Sequence, residues 1–189
     1  MSILAFAATK SRNSINRALV DCAATRLKSD LLPKARIAFA DLNDFEMPIY
    51  SIDRETNGGI PQAARSFFAT IGAADAVLVS FAEHNGSVTS AWKNIFDWMS
   101  RIHMKVGQNK PAVFLAATPG PRSGAGVLGS HEMMAPFFGA DLRGTLGIST
   151  WARAWDAVHR LLLLPEDQDA LDAILAGLSV KPAPKEVAA

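Results

Sequence analysis

A polar loop over residues 8–16 is the first segment whose residue types could do chemistry, because it follows an apolar run and leads into a helical pattern. Free backbone N–H groups and the helix dipole favour an anion there, and Lys10 or Arg12 could add positive charge. The alternative is a plain helix N-cap formed by Asn13 or Ser14, but one cap does not need so many polar groups. We therefore predict a phosphate site. Its polar side chains are Thr9, Ser11, Asn13, Ser14 and Asn16.

A second loop, residues 81–87, contains the turn signal Asn85-Gly86. Glycine permits close approach of the backbone to a ligand, although an ordinary strand-to-helix turn explains the segment equally well. His84 by itself indicates a surface histidine. The four histidines of the chain also lack the spacing of a metal site, so we predict no bound metal.

A third loop, Thr118–Gly126, combines prolines that stiffen the chain with glycines that leave room beside it. Such a loop can lie flat against a planar ring. The alternative is a plain connection between a strand and a helix, but the nine residues of this loop are more than that connection requires.

Glycine is absent from the first loop, which excludes both a Walker A loop and a dinucleotide fingerprint there.

The elements that must position these loops alternate along the chain. Apolar runs typical of buried strands lie at Ile3–Ala7, Arg36–Leu42, Ala76–Ser80, Pro111–Ala117 and Leu142–Ile148. Helix signals mark Ser14–Lys28, Pro61–Gly72, Thr89–Arg101, Val127–Phe138, Trp151–Leu164 and Glu166–Leu178. Apolar strands between helices predict a parallel sheet covered on both faces. We therefore predict an α/β, flavodoxin-like, doubly wound sheet of five parallel strands in the order 2-1-3-4-5.

This strand order also predicts where a ligand binds. In an open parallel sheet, ligands lie outside the carboxyl ends of the strands at the switch point, which here falls between strands 1 and 3. The three polar loops follow strands 1, 3 and 4, so we expect them to meet at that edge. One domain over residues 1–180 accounts for all the elements, and residues 181–189 are predicted to be a disordered tail.

Composition limits the classes of protein to consider. The chain has 189 residues, 49% of them hydrophobic, and a formal net charge of +1, which favours a soluble domain that binds neither nucleic acid nor an anionic membrane. The first residues do not form a signal peptide, and the apolar run Leu161–Leu164 is too short to span a bilayer. The single cysteine, Cys22, lies among apolar residues and is predicted to be a core residue. We expect a cytoplasmic protein.

Three stretches carry motifs with specific spacing. Residues 8–16 read Ala-Thr-Lys-Ser-Arg-Asn-Ser-Ile-Asn, against the pattern Gly-Ser-x-Arg-x-x-Ser-x-Asn. Residues 82–87 read Ala-Glu-His-Asn-Gly-Ser, against Pro-Glu-Tyr-Asn-Gly-Ser, and residues 92–98 read Trp-Lys-Asn-Ile-Phe-Asp-Trp, against Leu-Lys-Asn-x-x-Asp-Trp. On these motifs, residues 3–150 resemble the NADPH-dependent FMN reductase family, which includes quinone, chromate and azo-dye reductases. The departures from the family pattern are Ala8, Thr9, Ser11, Ala82 and His84.

The resemblance implies a role for each matching residue. The FMN phosphate would be held by Thr9, Ser11, Ser14 and Asn16, with Ile15 in the same helical turn. The isoalloxazine ring would be lined by Glu83, His84, Asn85 and Gly86 and bordered by Thr118 and Gly120. None of these side chains is predicted to be a catalytic acid or base, because the cofactor carries the chemistry in such enzymes.

The resemblance also implies an activity. NAD(P)H would pass a hydride to FMN, and a small-molecule electron acceptor (a quinone, azo compound, chromate or flavin) would then take the electrons. The chain would act as a homodimer or homotetramer. The alternative is a flavodoxin-like FMN-binding electron carrier or binding protein that does not turn over NAD(P)H. Flavodoxins are strongly acidic, so the net charge of +1 favours the reductase.

Overall fold

The computed structural model describes residues 1–179, in which helices cover both faces of a five-stranded parallel sheet. The strands are β1 Ser2–Ala7, β2 Arg36–Ala40, β3 Ala76–Ser80, β4 Glu83–His84, β5 Ser87–Val88, β6 Lys110–Ala117, β7 Ala140–Ile148, β8 Trp155–Asp156 and β9 Leu161–Leu162. The helices are α1 Ile15–Arg26, α2 Ile52–Gly58, α3 Gln62–Ala73, α4 Ser90–Ile102, α5 Ala125–Met134, α6 Trp151–Ala154 and α7 Pro165–Ala176. The predicted tail, residues 181–189, lies outside the described residues.

The order of the large sheet is β2-β1-β3-β6-β7, which confirms the predicted order 2-1-3-4-5 and the α/β flavodoxin-like fold. All its neighbouring strands run parallel. The carboxyl ends of β1, β3 and β6 are therefore adjacent at one edge. As a result, the three polar loops that follow these strands start from the same edge.

Alternate residues of the central strands build two separate cores. One face of the sheet packs against α3, α4 and α5, and the other packs against α1 and α7. Successive side chains of a strand point to opposite faces, which explains why β1, β3 and β6 are apolar almost throughout. Cys22 of α1 is buried in the second core, as predicted, and burial raises the pKa of its thiol.

The predicted helix Trp151–Leu164 is wrong beyond its first turn. Helix α6 ends at Ala154, and a hairpin of β8 and β9 follows. The Asp156 side chain accepts hydrogen bonds from the backbone N–H groups of Val158 and His159 at 2.8 and 3.0 Å. A short acidic side chain that bonds the backbone in this way competes with the helical hydrogen bonds, and Arg160 completes the turn with a φ of +57°.

The sequence analysis did not predict helix α2 or the hairpin of β4 and β5. Helix α2 lies in a segment expected to be irregular; it is capped by Ser51, whose Oγ accepts a hydrogen bond from Arg54 N, and it ends at Gly59 with a φ of +69°. The cap and the terminal glycine were the available signals. Strands β4 and β5 form a hairpin in a segment expected to be a loop. Helix α5 begins two residues earlier and ends four residues earlier than predicted.

A buried amide fixes the edge from which the polar loops leave. Asn16, in the first turn of α1, is 2% exposed. Its Oδ1 accepts hydrogen bonds from Ser80 Oγ at 2.7 Å and from Ala117 N at 2.8 Å. Its Nδ2 donates to Ala117 O at 3.0 Å. The side chain therefore joins α1 to the last residues of both β3 and β6.

Replacing Asn16 with alanine is expected to lower the free energy of unfolding by about 3 kcal/mol, because it leaves the polar groups of Ser80 and Ala117 unpaired in the core. Urea unfolding of the protein without any added ligand measures the change. The matched control is Asn13→Ala, since Asn13 is exposed in the same loop; it should change stability by no more than about 0.5 kcal/mol. Equal stabilities of the two variants would contradict the role of this amide.

A half-buried polar group joins α4 to α5. His131 Nε2 accepts a hydrogen bond from Trp92 Nε1 at 3.3 Å. Its Nδ1 lies 2.9 Å from Val127 O and therefore carries the proton. The imidazole also packs on Phe81, with 4.1 Å between ring centroids. Burial lowers the pKa of His131, so the neutral ring is the folded form.

Stability is expected to depend on the protonation of His131. The unfolded histidine has a pKa of about 6.5, and the folded pKa is lower, so the unfolded chain binds the proton more readily. The free energy of unfolding should therefore fall as the pH drops below about 6.5, until the folded pKa is passed. Denaturant unfolding between pH 8 and pH 5 (about the range in which histidine titrates) measures this. The slope should shrink in His131→Gln and persist in the exposed-site control His103→Gln; an unchanged slope in His131→Gln would refute the assignment.

Candidate functional site

The first loop is a short, self-bonded turn between β1 and α1. Ala8 N donates to Ser80 O at 2.8 Å, and Ser11 N donates to Thr9 Oγ1 at 3.2 Å. Ser14 is the N-cap of α1, and its Oγ accepts a hydrogen bond from Asn16 N at 3.2 Å. Thr9 is buried, whereas Ser11 is exposed and Ser14 is half-buried. The hydroxyls of Thr9 and Ser14 act only as acceptors in these hydrogen bonds. Their hydrogens therefore remain able to donate to a ligand.

Backbone donors around this turn are also free. Among residues 1–179, the N–H groups of Arg12, Asn13 and Ile15 donate to no protein group. Such groups at a helix N-terminus form a ready site for an anion. Ser14 therefore acts as the predicted helix cap while its surroundings also fit the predicted phosphate site.

Some of the basic side chains near the first loop form ion pairs, and one does not. Lys10 forms an ion pair with Glu46, and Arg17 lies 3.4 Å from Asp21 and 3.9 Å from Asp41. In the part of the chain that the structure describes, Arg12 has no ion-pair partner. Arg12 is exposed and is therefore the cation of this loop that is available to an incoming anion.

Two predicted residues of the loop contact the protein core. The Asn16 amide makes three hydrogen bonds, to Ser80 of β3 and Ala117 of β6. Ile15 is half-buried and packs against the core beneath α1. Thr9, Ser11 and Ser14 are the predicted residues whose hydroxyls keep a hydrogen to donate.

The second loop is a tight hairpin. Glu83 pairs with Val88 and His84 pairs with Ser87, so that Asn85 and Gly86 form the two-residue turn. Their φ angles are +52° and +79°, as a type I′ turn requires. His84, Asn85 and Gly86 are exposed, and a Cβ on Gly86 would meet nothing within 4 Å. The glycine is thus required by the turn, while the space beside it is open.

Glu83 attaches this hairpin to the start of α5. Its Oε2 accepts a hydrogen bond from Val127 N at 3.1 Å, and a carboxylate at a helix N-terminus is favourable. A Cβ on Gly126 would lie only 3.0 Å from Gly86 O, so the turn rests directly on α5. The carboxylate of Glu83 therefore has a protein partner in addition to any ligand that it borders.

The third loop is pinned by backbone hydrogen bonds to the neighbouring strand and helix. Thr118 N donates to Ile148 O and Trp151 N donates to Thr118 O, both at 3.0 Å. Thr118 Oγ1 donates to Gly120 O at 3.1 Å. A Cβ on Gly147 of β7 would lie 1.9 Å from Ser123 O. The loop consequently lies tightly against β7.

Glycines in this region serve different purposes. At Gly124 the φ is +68° and a Cβ would lie 2.6 Å from Ala116 Cβ, so packing requires glycine. At Gly120 a Cβ would meet nothing within 4 Å. Gly120 therefore leaves open space next to Thr118.

The sequence analysis did not predict that Thr89 positions the first loop. Thr89 is 3% exposed; its Oγ1 donates to Ala8 O at 2.9 Å and accepts from Trp92 N at 3.2 Å. It therefore caps α4 and holds the start of the first loop at once. The cap position was visible as the predicted start of the helix, but the partner Ala8 is 81 residues away in the chain.

The arrangement offers hydrogen-bond donors and open space at one sheet edge. Among residues 1–179, no cluster of histidine, cysteine, aspartate and glutamate could hold a metal ion. None of the helices described there is both long and apolar enough to cross a membrane. The free donors and the open space lie together at the carboxyl ends of the strands.

The fold is also found in solved structures. A flavoenzyme NAD(P)H:(acceptor) oxidoreductase from Paracoccus denitrificans is similar with a TM-score of 0.74 and 18% identity, over 94% of each chain. The apo form of an NADH:FMN oxidoreductase is similar with a TM-score of 0.66 and 17% identity, over 97% of this chain and 91% of that one. At these identities the likeness establishes the fold.

Sequence relatives match about half of the chain. A probable NADPH:quinone oxidoreductase of Oryza sativa is 32% identical over 101 residues, which cover 53% of this chain and 48% of that protein. A quinone reductase of Escherichia coli is 30% identical, over 50% and 52% respectively. An NAD(P)H-dependent FMN reductase of Pseudomonas aeruginosa is 36% identical, over 47% and 46%. The chain thus spans about half the length of these relatives.

The family described as NADPH-dependent FMN reductase matches residues 1–144. This range contains the first loop, the hairpin, the third loop and α4, which carries the motif at residues 92–98. It therefore includes every residue predicted to bind the cofactor. On this match, the chain belongs to the NADPH-dependent FMN reductase family.

Proposed function

We propose that this chain is an FMN-dependent NAD(P)H oxidoreductase that passes electrons to a quinone, azo compound, chromate or flavin. The observation that carries the proposal is the set of free donors in the first loop, next to open space at the hairpin and the third loop. Family membership supports the same activity. A cytoplasmic location, a single domain over residues 1–180 and a homodimer or homotetramer are parts of the same proposal.

The donor set fits the terminal phosphate of FMN. The hydroxyls of Thr9, Ser11 and Ser14 and the free N–H groups of the turn would donate to phosphate oxygens. Arg12 would supply the positive charge that the family pattern places one residue earlier, where this chain has Ser11. Asn16 would act indirectly, because its amide holds α1 in place for Ser14.

The ring of FMN would lie at the other two loops. The turn of His84, Asn85 and Gly86 and the open side of Gly120 supply exposed backbone there. Thr118 and Glu83 would fix these two walls, since each is bonded to a neighbouring element. Bound FMN supplies the hydride chemistry between NAD(P)H and the acceptor. The chain's own residues position it and need not act as acid or base.

We expect the purified protein to bind FMN and to transfer hydride to it. The test is to release the bound cofactor by denaturation, identify it by mass, and follow the visible absorption of the FMN-loaded protein anaerobically with NADH or NADPH. Loss of the flavin absorption with either nucleotide supports the reductase. Tight FMN binding without reduction by either would favour the electron-carrier alternative. Recovery of FAD, or no flavin binding at all, would overturn both.

Ser14→Ala is expected to weaken FMN binding by about tenfold or more, because a hydrogen bond to a charged phosphate is lost. Flavin fluorescence quenching gives the dissociation constant. The matched control is Ser51→Ala, which removes an equivalent helix cap on α2 at an identical 3.2 Å. Both variants should lose about 1 kcal/mol of stability as caps, but Ser51→Ala should keep its FMN affinity. Equal affinities of the two variants would count against the phosphate site.

Gly86→Asn is expected to reduce the increase in melting temperature that FMN causes. Asparagine tolerates positive φ, so the turn persists while a side chain enters the open space beside it. The control is Gly58→Asn at the end of α2, where a Cβ would likewise meet nothing within 4 Å. FMN should stabilise the control as much as the wild type and stabilise Gly86→Asn less, by mass action. Equal gains would place the turn away from the flavin.

A further inference from the structure

A cavity of about 360 Å³ lies between α4, α5 and one face of the sheet, and it reaches the hairpin at Ser87 and Val88. Val79 and Phe114 form part of its floor, and Trp92 and Phe96 of α4 face Ala135 and its neighbours on α5. Protein interiors are close-packed and contain few voids larger than a water molecule. A cavity of this volume lies within the range of small-molecule sites.

Aromatic side chains make up much of the cavity wall. They are Phe6, Phe81, Trp92, Phe96, Phe114 and Phe138. Phe81 and Phe114 meet edge to face at 5.2 Å, and Phe96 and Phe138 do so at 4.6 Å between centroids. Such walls present ring faces and edges, which favour another aromatic ring by offset or edge-to-face packing.

Most polar side chains of the wall already have hydrogen-bond partners. Both nitrogens of His131 are used by Trp92 and Val127, and Ser130 Oγ donates to Val127 O. At the rim, Lys93 Nζ donates to both carboxylate oxygens of Asp97, at 2.5 and 2.7 Å.

Two more polar groups lie at the far end of the cavity, and both are bonded to backbone. Ser100 Oγ donates to Asp97 O at 2.7 Å, and Lys110 Nζ donates to Gly72 O at 2.9 Å. Among residues 1–179, the Ser87 hydroxyl is the lining side-chain group without a hydrogen-bond partner. A charged ligand would lose its hydration without gaining a counter-ion here, at a large cost.

We propose that this cavity binds an uncharged aromatic molecule of one or two fused rings. The ring would pack between Trp92 and Phe114, and one hydroxyl or carbonyl of the ligand would reach Ser87. The cavity runs along the face of the sheet, and at Ser87 and Val88 it borders the hairpin of the proposed flavin site. The inference is argued from the lining of the cavity, and it rests on the proposed function only in that FMN fills the flavin site during the test.

The probe for this site is 2-naphthol, added to the protein saturated with FMN so that the flavin site is closed to it. Calorimetry counts the bound molecules, and the melting temperature reports the stabilisation that binding causes. We expect one molecule per chain and a rise in melting temperature. The anionic analogue 2-naphthalenesulfonate should bind about tenfold more weakly or worse, because its charge finds no partner in the cavity.

Two variants fill the cavity from different elements of the fold. If one of them fails to fold, the other still tests the proposal. Ala112→Leu enters from β6 and Ala135→Leu from the end of α5, both at lining positions. Each should weaken 2-naphthol binding about tenfold or more, since the added atoms occupy the space, while FMN affinity stays unchanged. The control Ala69→Leu, at an exposed position of α3, should bind the probe like the wild type.

Several outcomes would overturn the proposal. These are no binding of 2-naphthol to the FMN-loaded protein, equal binding by the filled variants, or equal binding of the sulfonate. Sedimentation tests one further outcome, in which a second copy of the chain occupies the cavity. In that case the Leu variants would dissociate an oligomer, and the intact oligomer would bind no 2-naphthol.

Discussion

The amide of Asn16 is the interaction on which the candidate site depends most directly. It joins the first turn of α1 to the last residues of β3 and β6 through three hydrogen bonds in the core. Parallel strands bring their carboxyl ends to one edge, but the strands do not by themselves set the angle of the helix that leaves that edge. Because these three hydrogen bonds form within the protein, the orientation of α1 and its N-terminal N–H groups is set before any ligand arrives.

The three loops divide their polar groups between structure and ligand. Thr89, Glu83 and Thr118 each bond a neighbouring element and hold one loop in place. The remaining donors of the first turn and the open sides of Gly86 and Gly120 are left free. Such rigid placement lowers the entropic cost of binding, which suits a site that has to orient a cofactor rather than perform chemistry with its own side chains.

The two faces of the sheet differ in how they are filled. On one face α1 and α7 pack against small and branched side chains. On the other, aromatic rings of β1, β6, α4 and the segments after β3 and α5 enclose a cavity, and the hydrogen bond from Trp92 to His131 joins α4 to α5 beside it. Large rings pack in few orientations, so two helices kept apart by rings leave space that branched aliphatic side chains would close.

The sequence by itself determined the class of fold, the strand order, the three loops and the family, because these follow from local patterns: apolar runs, turn residues and spaced motifs. It also placed the turn at Asn85-Gly86 correctly and left the helix cap open between Asn13 and Ser14, of which the structure has Ser14. The tertiary structure decided the rest. Asn16 and Ala117 are 101 residues apart, and Glu83 and Val127 are 44 apart, so no local pattern reveals that these side chains are already bonded. The hairpin of β8 and β9 overrode a helical pattern because Asp156 bonds its own backbone, and the cavity exists only where α4 and α5 meet the sheet.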